Sequence, residues 1–199
     1  MSSSANKSRP VYGTLTPDPT ARHHLFVVRS DAVAPALRIA RLLDDTSASL
    51  AFIVSGASDD CADVQERLRL VGTACEHYLH DADALEALTR CLAAARMGTR
   101  LYLAGSEGFL ASCVRIAESS GLAADEIRCE LIGTLARPVF CVHCRTVTPR
   151  VTTNIAPCSG CGRMLLVRDH FSRRLAAFMG VQADAEVPGS LPERVDLFS

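Results

Sequence analysis

Four cysteines in the last third of the chain have the residue types and the spacing to do chemistry. They read Cys141-Val-His-Cys144, then thirteen residues, then Cys158-Ser-Gly-Cys161. Two such pairs can converge on one metal ion as a tetrahedral set of thiolates. A full set of four leaves no coordination position open. The site would therefore hold a fold together or pass one electron, and would not activate water or a substrate. Zinc is the default metal, a single iron in a rubredoxin-like arrangement is the alternative, and a [2Fe-2S] cluster comes third. Two features point toward zinc. Cys144 is followed by Arg145, without the glycine that follows the second pair as Gly162. Arg145, Arg150, Arg163 and Arg168 also crowd the segment, where small electron carriers often present acidic faces.

The other reactive side chains form no recognisable constellation. His143 lies between the first two cysteines, but four thiolates already complete a site, so solvent or a partner is its expected neighbour. His170 stands in Arg168-Asp-His-Phe-Ser172, with Asp169 placed to cap a short helix expected over Phe171–Met179. His23 and His24 precede the first strand without further ligands. His77 and His80 have no catalytic pattern around them. Ser172 is in no nucleophile elbow, and no Ser-His-Asp set or carboxylate pair is evident. Arg173 and Arg174, with Arg163 and Arg168, make a basic patch that reads as a solvated face or as a docking surface for an acidic partner.

The bulk properties narrow the function classes. The 199 residues carry 21 basic and 22 acidic side chains, a formal net charge of -1, with no Trp and 5% aromatics. Nucleic acid is not an expected partner on that balance. The 48% hydrophobic content suffices for a core. No signal peptide or membrane span is evident, so the expected location is the cytoplasm without membrane attachment. Thiols stay reduced there, which favours metal ligation for the paired cysteines. Cys61, Cys75, Cys91, Cys113 and Cys129 are scattered and read as small buried apolar residues.

These residues need elements to position them. Residues 1–22, rich in Ser, Pro and Thr, read as a flexible or extended leader. Then short apolar strands alternate with helical patterns. Strands are expected at Leu25–Val28, Leu50–Val54, Cys75–Leu79, Leu101–Ala104 and Glu126–Ile132. Helices are expected at Val33–Leu43 (capped by Asp31), Ala62–Val71 (closed by Gly72), Asp83–Met97 (with Gly98 as C-cap) and Phe109–Ser119 (closed by Gly121). The alternation implies an α/β fold, a five-stranded parallel sheet with helices on both faces, over residues 23–135. Residues 136–181 lose the helical pattern and read as a small four-cysteine metal-binding β unit with one short helix, of zinc-ribbon or rubredoxin-like kind. Residues 182–199 read as a tail running extended over a surface of this chain or of a partner.

Two resemblances follow from particular stretches. Leu101-Tyr-Leu-Ala-Gly-Ser-Glu-Gly-Phe-Leu110, with Gly121–Ile132 after it, is similar to the end of the nicotinamide-binding domain of ferredoxin-reductase-type flavoenzymes. The resemblance extends back to residue 24. That family's first strand-to-helix turn resembles Gly-Gly-x-Gly-x-x-Pro, but here it reads Arg29-Ser30-Asp31-Ala32-Val33-Ala34-Pro35. The glycines that let backbone approach a pyrophosphate are gone, and Asp31 brings negative charge to the phosphate position. Ala104 replaces the family's reactive-site cysteine. A reductase-like scaffold that has lost nicotinamide binding is expected.

The second resemblance rests on Val139-Phe-Cys-Val-His-Cys-Arg-Thr-Val-Thr148, Cys158-Ser-Gly-Cys-Gly-Arg-Met-Leu165, Val167-Arg-Asp-His-Phe-Ser-Arg-Arg174 and Phe178-Met-Gly-Val181. These motifs resemble the small subunit of dimethylamine monooxygenase, the DmmA-like family, over residues 139–188. The resemblance implies a non-catalytic subunit of a multisubunit enzyme that demethylates dimethylamine to methylamine and formaldehyde with O2 and NADPH. It implies as partners a flavin/iron-sulfur reductase and a catalytic oxygenase subunit. The alternative is an electron-transfer subunit with iron at Cys141, Cys144, Cys158 and Cys161.

Overall fold

Near-continuous apolar runs build the first sheet, because strands covered on both faces need apolar side chains on both. The computed structural model describes residues 9–43, 48–56, 66, 68 and 74–199. Strands β1 (His23–Arg29), β2 (Ser49–Ser55), β3 (Ala74–Tyr78), β4 (Thr99–Gly105) and β5 (Ile127–Leu131) pair in parallel in the order β3-β2-β1-β4-β5. Helices α1 (Val33–Leu42), α2 (Asp81–Ala93) and α3 (Glu107–Ser119) cover the sheet. Phe26, Val28, Phe52, Val54 and Tyr102 face α1. Leu25, Val27, Ile53, Leu101 and Leu103 face α2 and α3. Helices thus lie on both faces. The expected helix Ala62–Val71 and its closing Gly72 fall outside the described residues, apart from helical Glu66 and Leu68; Leu68 is buried on the α1 side.

Gly121, at φ +95, closes α3: its N–H donates to the Glu118 carbonyl and that of Leu122 to Ala117. That double bond is the Schellman arrangement. Asp31 does not cap α1; it lies in a 3-10 turn and pairs with Arg29 at 3.5 Å. Gly98 does not cap α2, which ends at Ala93. Its carbonyl instead accepts the N–H groups of Arg22 and His23.

The leader is pinned from residue 12 onward, contrary to the flexible segment expected over residues 1–22; residues 1–8 lie outside the described part. Leu15 is buried, its N–H donating to Glu130 Oε2 at 2.7 Å. The Asp18 N–H donates to Tyr102 Oη at 3.0 Å. Arg100 Nε and Arg128 Nη2 reach Asp18 Oδ2 at 2.8 Å and 3.2 Å. Polar anchors and one leucine leave no periodic trace in a sequence.

The chain divides into one unit at Tyr12–Gly133 and another at Thr134–Ser199, to which residues 9–11 also belong. The second unit is a five-stranded mixed sheet, larger than a hairpin. It orders β6 (Arg137–Cys141), β7 (Val147–Val151), β8 (Ile155–Pro157), β9 (Met164–Ser172) and β10 (Ala177–Gln182) as β7-β6-β10-β9-β8. Strands β6 and β10 are parallel; the other pairs are antiparallel.

The helix expected over Phe171–Met179 is instead the β9–β10 hairpin. Phe171, Leu175 and Phe178 fit a helical stripe as well as strand ends, so spacing alone is ambiguous. Strand pairing decides: Phe171 faces Phe178 with ring centroids 5.0 Å apart, and Ala176 turns the chain at φ +50. Asp169 therefore caps no helix. From β9 it accepts a 2.9 Å hydrogen bond from Arg137 Nη1. Arg137 is fully buried, its guanidinium 3.8 Å from the Phe178 ring and 3.7 Å from that of Phe198. The tail turns over residues 183–189 and then returns onto its own unit. Leu197 and Phe198 donate to the Thr152 carbonyl, and Val195 exchanges bonds with Asn154.

Candidate metal centre

Two tight turns present the four cysteines, and they repeat one hydrogen-bond pattern. In the first, the Arg145 N–H donates to the Cys141 carbonyl at 2.9 Å and Cys141 N–H to Thr146 O at 2.9 Å. In the second, Gly162 N–H donates to Cys158 O at 3.0 Å and Cys158 N–H to Arg163 O at 2.9 Å. Arg145 (φ +66) and Gly162 (φ +73) both adopt the left-handed conformation the turn needs. The missing glycine after Cys144 thus changes no backbone geometry, and that argument for zinc over iron falls away.

The turns converge. All four Sγ atoms lie within 4.8 Å of one another. Cys144 and Cys158 are 3.5 Å apart and Cys141 and Cys161 3.9 Å. Sulfurs at about 2.3 Å from a central ion stand about 3.8 Å apart in a tetrahedron, close to the separations of these two pairs. The surroundings favour thiolates at two positions. Hydrogen bonds, foremost from the Thr146 hydroxyl, bring Cys144 down to about 6. Cys158 is lowered, foremost by the Cys161 N–H. Burial pushes Cys141 up to about 11. A cation at the centre would offset that cost.

The histidines stand apart from this cluster. An exposed His143 shares its Nδ1 with Arg163 Nη1 at 3.2 Å. His170 is exposed on β9. His77 Nε2 bonds to Gly56 O, and His23 Nδ1 to Ser49 Oγ. His24 is buried, with Nδ1 3.0 Å from Tyr102 Oη. Ser172 Oγ accepts from the Leu175 N–H in the hairpin turn. Among the scattered cysteines, Cys113 is buried, and Cys75, Cys91 and Cys129 are partly buried against the core; Cys61 lies outside the described residues.

The α/β unit has its own place where a ligand would bind. In open parallel sheets this is the crevice at the carboxyl ends of the strands where the strand order reverses, here between β1 and β4. Arg29, at the end of β1, lays its side chain across that spot. Its Nη1 donates to both oxygens of Asp81 at 2.9 Å, and Ser55 Oγ donates to the same carboxylate at 2.5 Å. A Cβ on Gly105 would sit 3.0 Å from Arg29 Cγ and 2.9 Å from Phe109 Cδ1. Two carboxylates, Asp31 and Asp81, answer one guanidinium, so the spot offers no free positive charge to a phosphate. Ser55 and Asp81 were not singled out from sequence; the acid opening α2 was the only available signal.

Among the described residues no helix is long and apolar enough to cross a membrane.

Comparison with known proteins adds relatives. Residues 5–127 match the family model for the N-terminal domain of dimethylamine monooxygenase subunit DmmA-like proteins, and residues 138–181 that for their C-terminal domain. The heme-dependent oxidative N-demethylase delta subunit of Ectopseudomonas mendocina (strain ymp) is 41% identical over 122 residues, 61% of this chain and 70% of that one. Two solved structures are also similar. Phthalate dioxygenase reductase has a TM-score of 0.47 and 14% identity, covering 68% of this chain and 46% of that one. The ferredoxin reductase in carbazole 1,9a-dioxygenase has a TM-score of 0.45 and 16% identity, covering 60% and 38%. The chain thus spans less than half of either solved chain, and likenesses of this degree carry no functional argument.

Proposed function

Because the chain belongs to the dimethylamine monooxygenase subunit DmmA-like family, we propose that it is a non-catalytic subunit of a multisubunit oxidative N-demethylase. The assembly would convert dimethylamine, O2, NADPH and a proton to methylamine, formaldehyde, water and NADP+. The carrying observation is the closed set of four sulfurs, Cys141, Cys144, Cys158 and Cys161, spaced for one ion. The residues present fit such an ion. Bound there, zinc would supply a cross-link between the two turns and no open position for a reactant. The sulfur spacing suits iron equally well, so iron carrying one electron is the alternative occupant.

Other observations support a subunit that assembles rather than reacts. The Arg29 stem lies beside Gly105 at the end of β4, and its guanidinium is already answered by Asp31 and Asp81. The NADPH would then be used by a partner reductase carrying flavin and an iron-sulfur centre, with oxygen chemistry on a separate catalytic subunit. A cytoplasmic location fits thiols that must stay reduced to bind metal.

Co-expression with the other demethylase subunits tests this reading. Omitting the chain is expected to abolish the intact complex. Cys158→Ser is expected to unfold the second unit and release the chain, while the α/β unit keeps its own cooperative melt. Normal assembly without the chain would refute the proposal.

A further inference from the structure

Two glycines of the second cysteine turn serve different ends. Gly162 adopts φ +73, and a Cβ there would meet nothing within 4 Å. Gly160 is the reverse case. Its φ lies outside the left-handed region, so the backbone does not demand glycine there. A Cβ at Gly160 would instead stand 2.8 Å from Thr146 Cβ and 3.1 Å from Thr146 Cγ2, and closer still to Thr146 Oγ1. The space is taken by a side chain from the other turn.

Thr146 follows Cys144 and Arg145, and its carbonyl accepts the Cys141 N–H at 2.9 Å. Its hydroxyl and its N–H both donate to the Cys144 sulfur. Across the contact, the Gly160 N–H donates to Cys158 Sγ at 3.4 Å. The Thr146–Gly160 contact thus joins the surroundings of two sulfurs from opposite turns, and these two, Cys144 and Cys158, are 3.5 Å apart. The second turn has no counterpart. Its equivalent position is Arg163, whose side chain reaches Gln182 and His143.

Thr148 extends the contact. Two positions on in an extended segment, it falls on the same side as Thr146. Its Oγ1 accepts the Ser159 N–H at 3.0 Å and lies 3.3 Å from Ser159 Oγ. Ser159 and Gly160 are the two residues between Cys158 and Cys161. The chain leaving the first turn therefore seats that whole interval.

We propose that Thr146 is a positioning residue of the metal centre: seated on Gly160, its hydroxyl holds the Cys144 sulfur beside that of Cys158 for a shared ion. The inference rests on the four-sulfur reading above and names the residue that sets the geometry of that site. Thr146 is no ligand and acts through Cys144. Hydrogen bonds from outer residues orient a ligand and tune its donation, and losing one typically costs about 10–100-fold in metal affinity. Packing alone would be met by valine, which has the shape of threonine without the hydroxyl.

The test uses the full chain as wild type, Thr146→Val, Thr146→Ser and Gly160→Ala, with folding checked by circular dichroism in excess zinc. Competition with a chromophoric chelator gives the zinc affinity. Co2+ added in place of zinc gives the sulfur-to-cobalt charge-transfer band. Thr146→Val is expected to bind zinc at least about tenfold more weakly. Its cobalt band should move to longer wavelength, because a sulfur relieved of its hydrogen bond donates more readily. Thr146→Ser, which keeps the hydroxyl, should restore most of the affinity and the wild-type band. Gly160→Ala should weaken zinc binding by displacing Thr146. A folded Thr146→Val with wild-type affinity and an unshifted band would overturn the positioning role while leaving the four-sulfur site intact. Equal losses in Thr146→Val and Thr146→Ser with unshifted bands would assign Thr146 to packing and overturn it as well. If Thr146→Val does not fold, Gly160→Ala decides, and wild-type affinity there would overturn the proposal. A wild-type chain that takes up neither zinc nor cobalt would overturn both the proposal and the metal reading beneath it.

Discussion

Arg145 occupies in the first cysteine turn the position that Gly162 occupies in the second. Their φ angles are +66 and +73, and each N–H donates to the carbonyl of the turn's first cysteine. Left-handed backbone costs a residue with a Cβ about 1–2 kcal/mol, and glycine is free of that cost. A Cβ at Gly162 would meet nothing within 4 Å, so substitution there reports backbone strain alone. Gly162→Ala is expected to destabilise the second unit by about 1–2 kcal/mol. Arg145→Gly should leave its stability unchanged or slightly higher. Thermal melts of the metal-loaded protein check both.

Asp18 ties the leader to the sheet. Its carboxylate accepts from the Thr20 hydroxyl and N–H and from two arginines, which hold it well below the usual carboxylate range. Asp18→Asn leaves Arg100 and Arg128 facing each other with less compensation. A loss of about 2 kcal/mol is expected, since hydrogen bonds to charged groups each contribute about 1.5–3 kcal/mol. Urea unfolding measures it, and faster hydrogen exchange at Leu15 and Asp18 would localise the effect.

His24 should make the α/β unit acid-sensitive near neutrality. Burial lowers its pKa, outweighing the opposing pull of Asp18, while Arg100 and His23 add to the lowering. The unfolded chain then takes up a proton near pH 6.5 that the folded chain refuses. Stability is full above that pH, declines as pH falls through it, and levels off below the folded value. Asp18 adds no slope there, because its own stabilisation fades only below about pH 4. His24→Phe is expected to flatten the decline between pH 7.5 and 5.5 in melts compared with the wild type.

The pairing of Arg29 with Asp31 and Asp81 predicts no nicotinamide binding at the strand ends of the α/β unit. NADPH fluorescence titration of the isolated chain should show no saturable change up to millimolar concentration. Saturable binding that Arg29→Ala alters would contradict the reading of Arg29 as already answered by Asp31 and Asp81.

How much of this was legible in the sequence depended on what held each segment. Leu25–Val28 and Leu101–Ala104 announced themselves because both faces of those strands are buried. The cysteines did so by spacing alone. Residues 12–22 did not, since they are fixed by polar anchors on distant strands. Phe171–Met179 misled because its apolar spacing suits a helix and a hairpin alike, and the pairing of β10 with β6 and β9 settles it. Arg29 was visible, but its partner Asp81 lies 52 positions away, and only the fold joins them.

Metal content of the purified protein, with a visible spectrum on the same sample, tests the central claim most directly. One zinc per chain and no colour are expected of a structural clamp built by Cys141, Cys144, Cys158 and Cys161. One iron per chain with a thiolate-to-iron band that bleaches on reduction would contradict the clamp and put the chain on the electron path. A folded chain that takes up no metal at all would contradict the site itself.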